Sequence, residues 1–295
     1  MAVDGTDRWH RWLLDVRFGG DAEARQQILA ESLYPVRDQV LAGARLRPGD
    51  TVLDVGAGDG LIAFGALEQL GPSGRVIFSD VSQDLLDHCR TAAAAEGMLD
   101  RCSFVNAPAH RLDGVPAAAV DVVTTRSVLI YVKDKPAALQ EFYRVLRPGG
   151  RISLAEPINA LMGFDDPTRF SGYDIGPVMA LAQKVQSLYE SIQPAGTDPM
   201  VDFDERDLLR YAEHAGFPVI GLQLHVDVKN RKRPVPWTRF LRMSGNPLVP
   251  PAGEALERTL TAAEIADFTA HLRPLVEAGA GQERIVMAYL TALKQ

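Results

Sequence analysis

Three glycines that alternate with other residues, Gly56, Gly58 and Gly60, follow the apolar run 51–55. A residue without a Cβ adopts positive φ readily and lets the backbone approach a ligand closely. A second apolar run ends at Asp80, about 20 residues after the last glycine. A carboxylate at that distance can accept hydrogen bonds from ribose hydroxyls, each contributing about 1.5–3 kcal/mol. The two features together predict a nucleoside-binding site.

The glycine spacing separates two kinds of nucleoside-binding turn. The dinucleotide fingerprint G-x-G-x-x-G requires a third glycine where this chain has Leu61. The pattern here is G-x-G-x-G, and with the preceding Leu53-Asp54-Val55 it resembles motif I of the class I S-adenosylmethionine-dependent methyltransferases. The turn 147–150 is similar to the turn that introduces the fifth strand in many of these enzymes, so the resemblance covers residues of about 45–158.

This resemblance implies that the cofactor is S-adenosyl-L-methionine. It also implies that residues at the carboxyl ends of the first strands and in the N-terminal segment contact this cofactor. The predicted cofactor-binding residues are Asp54, Gly56, Ala57, Gly58, Gly60, Asp80, Val81, Asn106, Ala109, Arg126, Ser127 and Tyr34. The family pattern places an acid at the adenine where this chain has Pro108. The Ala109 amide, with Asn106 or His110, is therefore expected to replace that contact. Alternatively, His110 is an exposed loop histidine.

Three of these residues have a structural alternative. Arg126 binds the cofactor carboxylate through its guanidinium fork, or it pairs with Asp54 and orders the loop. Tyr34 reaches the methionine end of the cofactor, or it packs with its hydroxyl in water. Asp54 contacts the ligand, or it holds the glycine turn by accepting backbone amides.

Methyl transfer from a sulfonium is an in-line displacement, and a weakly nucleophilic acceptor also needs a general base. Glu156, at the carboxyl end of the fifth predicted strand, is the first candidate for that base. Its alternative is a buried carboxylate paired with Arg126 or Arg151. Further candidates are His10, Tyr173, His225 and Asp227. The sequence shows no metal-binding motif, so no metal is expected.

The apolar periodicity predicts the fold that the resemblance implies. It is an α/β fold with a Rossmann-like seven-stranded, mostly parallel sheet, an antiparallel last strand, helices on both faces and helical cap insertions. The predicted units are an N-terminal helical lid at 1–44, a cofactor-binding core at 45–158, a cap insertion at 159–203 and the remainder of the core sheet at 204–295, with a helical insertion at about 231–281.

Composition limits the partners of the chain. It has 295 residues, 46% of them hydrophobic, and a formal net charge of −7, which argues against non-specific binding to nucleic acid. Its 2 cysteines, and the lack of a signal-type apolar run or a run long enough to span a bilayer, favour a cytoplasmic protein without membrane contact. The sequence leaves open whether the chain forms a homodimer.

One segment departs from the acidic average. Residues 229–242 are rich in lysine and arginine, and no acid lies between Asp227 and Glu254. Either this segment binds an anionic part of the acceptor, or it is a solvated loop or a surface against a partner subunit.

Together these observations favour a small-molecule methyltransferase of EC class 2.1.1, acting in specialised metabolism. The insertions and their apolar residues favour a bulky or elongated acceptor. Two alternatives stay open. One is a cyclase or another enzyme that keeps the cofactor without transferring its methyl group, and the other is a regulatory binding module.

Overall fold

The computed structural model describes residues 7–162 and 166–295. The first residues of the predicted lid, 1–6, and residues 163–165 of the predicted cap lie outside this range. The strands are β1 (Thr51–Val55), β2 (Arg75–Asp80), β3 (Cys102–Asn106), β4 (Val120–Arg126), β5 (Leu146–Pro157), β6 (Arg169–Phe170), β7 (Tyr173–Asp174), β8 (Val219–Lys229) and β9 (Glu283–Leu293). The α-helices are α1 (Arg8–Arg11), α2 (Ala22–Ile28), α3 (Tyr34–Ala44), α4 (Leu61–Gln69), α5 (Gln83–Ala95), α6 (Lys135–Val145), α7 (Met179–Ile192), α8 (Glu205–Ala215), α9 (Trp237–Arg242), α10 (Ala252–Thr259) and α11 (Ala262–Ala278).

The main sheet has seven strands in the order β3-β2-β1-β4-β5-β9-β8. Strands β1 to β5 are parallel, whereas β9 runs antiparallel to both of its neighbours, β5 and β8. This arrangement confirms the predicted fold class. The strand order reverses between β1 and β4, and in open parallel sheets ligands bind at the carboxyl ends of the strands at such a point.

Alternating side chains of the central strands supply two cores, one on each face of the sheet. Val52 packs on one face with apolar residues of α3, α4 and α5. Leu53 and Val55 pack on the other face with residues of α6 and α8. Because both faces are covered, β1 is apolar along nearly its whole length, as expected of a central parallel strand.

A third core lies outside the sheet and joins two segments that are distant in sequence. Its buried members include Phe170 and Tyr173 from the first segment and Trp237, Phe240 and Phe268 from the second. The regions predicted as separate insertions therefore pack together on common apolar residues. We call this unit, residues 166–192 and 235–276, the cap.

Local signals place the helix ends as the sequence predicts. The Asp21 side chain accepts a hydrogen bond from the Ala24 amide and begins α2, and Pro35 lies in the first turn of α3. Asp204 and Asp207 form a capping box at α8, which ends at the left-handed Gly216. In the part of the chain that the structure covers, no helix is long and apolar enough to cross a membrane.

Helix α3 packs closely on the sheet at Gly43, which provides a test of the fold. An alanine in a helix is ordinarily more stable than a glycine by about 1 kcal/mol. A Cβ at Gly43, however, would lie 2.6 Å from Ser153 Oγ and 2.9 Å from Thr291 Cγ2. Because overpacking costs about 1–3 kcal/mol, we expect Gly43→Ala to lower the free energy of unfolding measured by urea titration.

The matched control is Gly196→Ala, since nothing lies within 4 Å of a Cβ built there. We expect this control to leave the free energy of unfolding unchanged or slightly higher. A Gly43→Ala protein as stable as the Gly196→Ala protein would contradict the close packing of α3 on the sheet.

Candidate active site

The glycine turn after β1 and the carboxylate at the end of β2 are joined directly. The amide of Gly58 donates to Asp80 Oδ2 at 2.9 Å, and the amide of Ser82 donates to Asp80 Oδ1 at 2.9 Å. Burial raises the pKa of Asp80, and these amide hydrogen bonds oppose that shift. Gly56 and Gly58 have φ values of 65° and 58°, in the left-handed region that favours glycine. The turn and the carboxylate therefore face one ligand position.

This edge of the sheet forms one wall of a cavity of about 1740 Å³. The opposite wall comes from the N-terminal helices and the cap. Of the predicted cofactor-binding residues, those on the cavity wall are Asp54, Gly56, Ala57, Gly58, Asp80, Val81, Ala109, Arg126 and Ser127. The loop residues Pro108 and His110 also line it. Most of the predicted set thus converges on a single space.

Three predicted cofactor-binding residues do not line the cavity. Gly60 begins α4 with a φ of 84°, and a Cβ there would lie 2.4 Å from Phe64 Cε2. Asn106 donates from its Nδ2 to the carbonyl oxygen of Asp80 at 3.0 Å. Tyr34 lies under the guanidinium of Arg37, whose Cζ is 4.4 Å from the ring centroid. The structure therefore corrects their expected contact roles: Gly60 and Asn106 shape the site without lining it, and Tyr34 packs against Arg37.

Asp54 holds its own strand and a neighbouring one together. Its Oδ1 accepts from the hydroxyl of Thr124 on β4 at 2.8 Å, and burial raises its pKa to about 7. Within the described residues, no carboxylate oxygen lies within 4.0 Å of the Arg126 guanidinium, so the alternative of an Arg126–Asp54 ion pair is not found. Arg126 therefore reaches the cavity with its donors available to an anionic ligand.

Glu156, the first candidate for a general base, is fully buried and is not among the residues that line the cavity. Its two oxygens accept from the amides of Val128 at 3.0 Å and Ile130 at 3.3 Å. Arg151 is engaged elsewhere, by Asp50 at 2.6 Å. Glu156 is therefore a buried carboxylate, as its alternative expects, but its partners are amides of the turn after β4 and not an arginine, and its distance from the cavity wall argues against a role as the base.

The other candidate bases divide in the same way. Tyr173, His225 and Asp227 line the cavity. His10 does not, and its ring centroid lies 6.3 Å from that of His88 on α5. In the described parts of the chain, no cluster of three or more His, Cys, Asp or Glu residues could hold a metal ion.

The N-terminal segment contributes residues that sequence reasoning did not assign to the site. Trp9, Trp12, Leu13 and Arg17 line the cavity. The Trp9 ring meets the Tyr131 ring edge to face, with centroids 4.9 Å apart, and burial raises the pKa of Tyr131 to about 12. The predicted helical lid at 1–44 placed this segment near the cofactor, but it did not single out these residues.

An ion pair fastens this segment to the glycine turn. Asp59, which is the residue between Gly58 and Gly60, pairs with Arg25 of α2 at 2.9 Å. Farther along, Trp12 Nε1 donates to the carbonyl of Ser244 in the cap at 3.3 Å. The N-terminal helices therefore contact both the cofactor edge and the cap, and they close the cavity between them.

Comparison with known proteins agrees with this geometry. Residues 52–150 match a family model described as a methyltransferase domain. The chain is 32% identical over 179 residues to the nocamycin O-methyltransferase of Saccharothrix syringae, covering 58% of this chain and 57% of that protein. It is 36% identical over 116 residues to the ubiquinone/menaquinone biosynthesis C-methyltransferase of Xanthomonas campestris pv. campestris, covering 39% and 46%. The chain thus spans about half the length of these curated relatives.

A solved structure extends the likeness to nearly the whole fold. The YcgJ protein of Bacillus subtilis matches with a TM-score of 0.54 at 15% identity, over 89% of this chain and 99% of that one. At this identity the likeness concerns the fold alone.

The buried position of Glu156 predicts a pH dependence of stability. Burial raises the pKa of Glu156 from 4.5 to about 7, so unfolding releases its proton at intermediate pH. The contribution of Glu156 to the free energy of unfolding is therefore fully present below pH 4.5. It decreases as the pH rises to about 7, by at most about 1.4 kcal/mol per pH unit. Since glutamine does not titrate, we expect the stability of Glu156→Gln relative to the wild type to rise between pH 5 and pH 7 in urea titrations.

Glu141→Gln is the control, because hydrogen bonding to Arg144 lowers the pKa of Glu141 and places its titration below this window. Its stability relative to the wild type should stay constant between pH 5 and pH 7. If the stability of Glu156→Gln relative to the wild type were also constant between pH 5 and pH 7, the pKa of Glu156 would not be raised by its burial.

Proposed function

Because residues 52–150 match a family model described as a methyltransferase domain, we propose that this protein is an S-adenosylmethionine-dependent methyltransferase, which transfers a methyl group to a small organic acceptor in the cavity between the sheet edge and the cap. One observation carries the proposal. The hydrogen bond of 2.9 Å from Gly58 to Asp80 brings the glycine turn and the proposed ribose-binding carboxylate to one wall of a cavity of about 1740 Å³.

The wall residues fit S-adenosylmethionine from end to end. Each oxygen of Asp80 accepts one amide and keeps a lone pair for a ribose hydroxyl. Val81, whose side chain is half exposed at the cavity, and Ala109 offer apolar surfaces to the adenine ring. The unpaired Arg126 is suited to the methionine carboxylate through a two-pronged hydrogen bond.

When bound, the cofactor supplies an electrophilic methyl group on a sulfonium. The chain supplies orientation and exclusion of water, and orientation alone contributes about 7–11 kcal/mol to the lowering of such barriers. Trp9 and Trp12 cover the cavity from the N-terminal side. The pKa of Tyr131, raised to about 12, keeps its hydroxyl protonated at neutral pH, so this residue donates a hydrogen bond and orients the acceptor.

The acceptor class follows from the opposite wall. Phe170, Phe240 and Met243 of the cap give that wall an apolar surface large enough for a ring system or a long chain. One relative is named for O-methylation of nocamycin. This name supports an organic acceptor of specialised metabolism and favours an oxygen nucleophile.

Cofactor binding provides the first test. In Asp80→Asn, one carboxylate oxygen becomes an amide group that faces a backbone donor. We expect isothermal titration calorimetry to show about 10- to 150-fold weaker binding of S-adenosylmethionine, the equivalent of one charge-assisted hydrogen bond. The control is Asp87→Asn, an exposed carboxylate on α5 that contacts Gln83 at 2.9 Å and Arg90 at 3.6 Å, both on the same helix. Equal affinities for the two variants would remove Asp80 from the cofactor site.

Turnover provides the second test and separates the alternatives. The protein is incubated with S-adenosylmethionine and a panel of hydroxylated aromatic and polyketide acceptors. We expect S-adenosylhomocysteine and methylated product to appear in equal amounts. A changed acceptor without S-adenosylhomocysteine would favour an enzyme that keeps the cofactor without transferring methyl. The absence of any cofactor binding would overturn the proposal.

A further inference from the structure

Arg239 is a buried arginine that forms no ion pair within the described chain. Its side chain lies on α9 of the cap, is only 6% exposed and lines the cavity. Its Nε donates to the carbonyl of Phe18 at 3.1 Å. Throughout the described chain, no carboxylate oxygen lies within 4.0 Å of its guanidinium, and its two Nη groups have no hydrogen-bond partner. The nearby acid Asp21 acts on this charge only from beyond contact distance, and a buried charge is unfavourable unless a partner compensates it.

Arg151 shows how the same chain treats an arginine with a structural role. That side chain is similarly buried, at 9% exposure, yet its Nε and one of its Nη groups are held by partners within the protein. It pairs with Asp50 at 2.6 Å and also donates to the carbonyls of Ala44 and Arg45. The contrast indicates that the free donors of Arg239 serve a ligand rather than the fold.

Three other basic residues of the segment 229–242 have partners within the protein. Arg233 pairs with Glu31, and Lys229 pairs with Asp227 at 2.6 Å. Lys232 donates to the carbonyl of Ser171 at 2.8 Å. The segment is therefore neither a simple solvated loop nor one uniform patch.

The surroundings of Arg239 add a second cation. The guanidinium of Arg17 stacks on the ring of Phe18, with its Cζ 5.3 Å from the centroid, and Phe18 is the residue whose carbonyl holds Arg239. Arg17 also lines the cavity and has no carboxylate oxygen within 4.0 Å in the described residues. Beyond the cofactor edge, the acids on the wall are Glu31, Glu190, Asp198, Asp227 and Glu283.

The position of Arg239 is set by Gly19. A Cβ at Gly19 would lie 2.8 Å from Arg239 Cγ and 3.4 Å from Met243 Cγ, so only glycine lets these side chains pack here. Arg239 and the apolar Met243 thus lie side by side. An anion at Arg239 would extend its apolar part along Met243 and Phe240.

We propose that the methyl acceptor carries a carboxylate or phosphate group, which Arg239 binds through its two free Nη groups at the cap end of the cavity. The assignment of this anion site to the methyl acceptor rests on the proposed function. Binding of an anion at the site can be measured without turnover. Two parallel N–H groups match the paired oxygens of either anion.

The test uses probes that differ in charge. Binding of 2-naphthoate, 2-naphthyl phosphate and the neutral 2-naphthamide is measured by isothermal titration calorimetry on the full chain, with and without saturating S-adenosylhomocysteine. We expect the anions to bind the wild type at least about tenfold more tightly than the amide. The anion that binds more tightly identifies the group for which the site is built.

The preference should disappear in Arg239→Gln and persist in part in Arg239→Lys, which keeps the charge. Arg242→Gln, on the same helix but away from the cavity wall, is the matched control and should behave as the wild type. A merely structural role of Arg239 would weaken the amide and the anions equally. That result would overturn the inference, and so would a wild-type protein that binds the anions no more tightly than the amide. A wild-type protein that prefers the anions but does not bind S-adenosylhomocysteine would count against the proposed function only.

Discussion

The hydrogen bond from the Gly58 amide to Asp80 is the contact on which the cofactor half of the molecule depends. It joins the turn after β1 to the end of β2, and it holds for only one backbone shape of the glycine turn. Since neighbouring parallel strands end at the same edge, the Asp80 carboxylate and the loop after β4 are brought to the same ligand. The ion pair between Asp59 and Arg25 also holds the N-terminal helices against this turn.

Two buried carboxylates near this edge, Asp54 and Glu156, bind groups of the protein itself. Asp54 binds the hydroxyl of Thr124, and Glu156 binds two amides of the turn after β4. That turn begins at Ser127, whose φ of 56° is strained for a residue with a Cβ, at a typical cost of about 1–3 kcal/mol. The amide of Ser127 donates to Ala155 at 2.8 Å, so β5 and Glu156 together hold the strained turn beside Arg126.

The acceptor half is assembled from pieces that lie far apart in the chain. The third core joins residues 166–192 to 235–276, and Trp12 binds the carbonyl of Ser244 across the mouth of the cavity. The groups facing the acceptor therefore come from the N-terminal helices, the cap and the end of β8.

The sequence by itself determined the strands, the helix caps, the glycine turn and the acid at 80, because each depends on spacing within about 30 residues. Most of the residues that it predicted for the cofactor line one cavity, since parallel strands must end at one edge. Only the tertiary structure decided where individual side chains point. It packed Tyr34 beneath Arg37, buried Glu156 under a turn, and placed no carboxylate of the described residues within 4.0 Å of Arg239. Those outcomes depend on which distant segments pack together, and no local pattern of residue types records that packing.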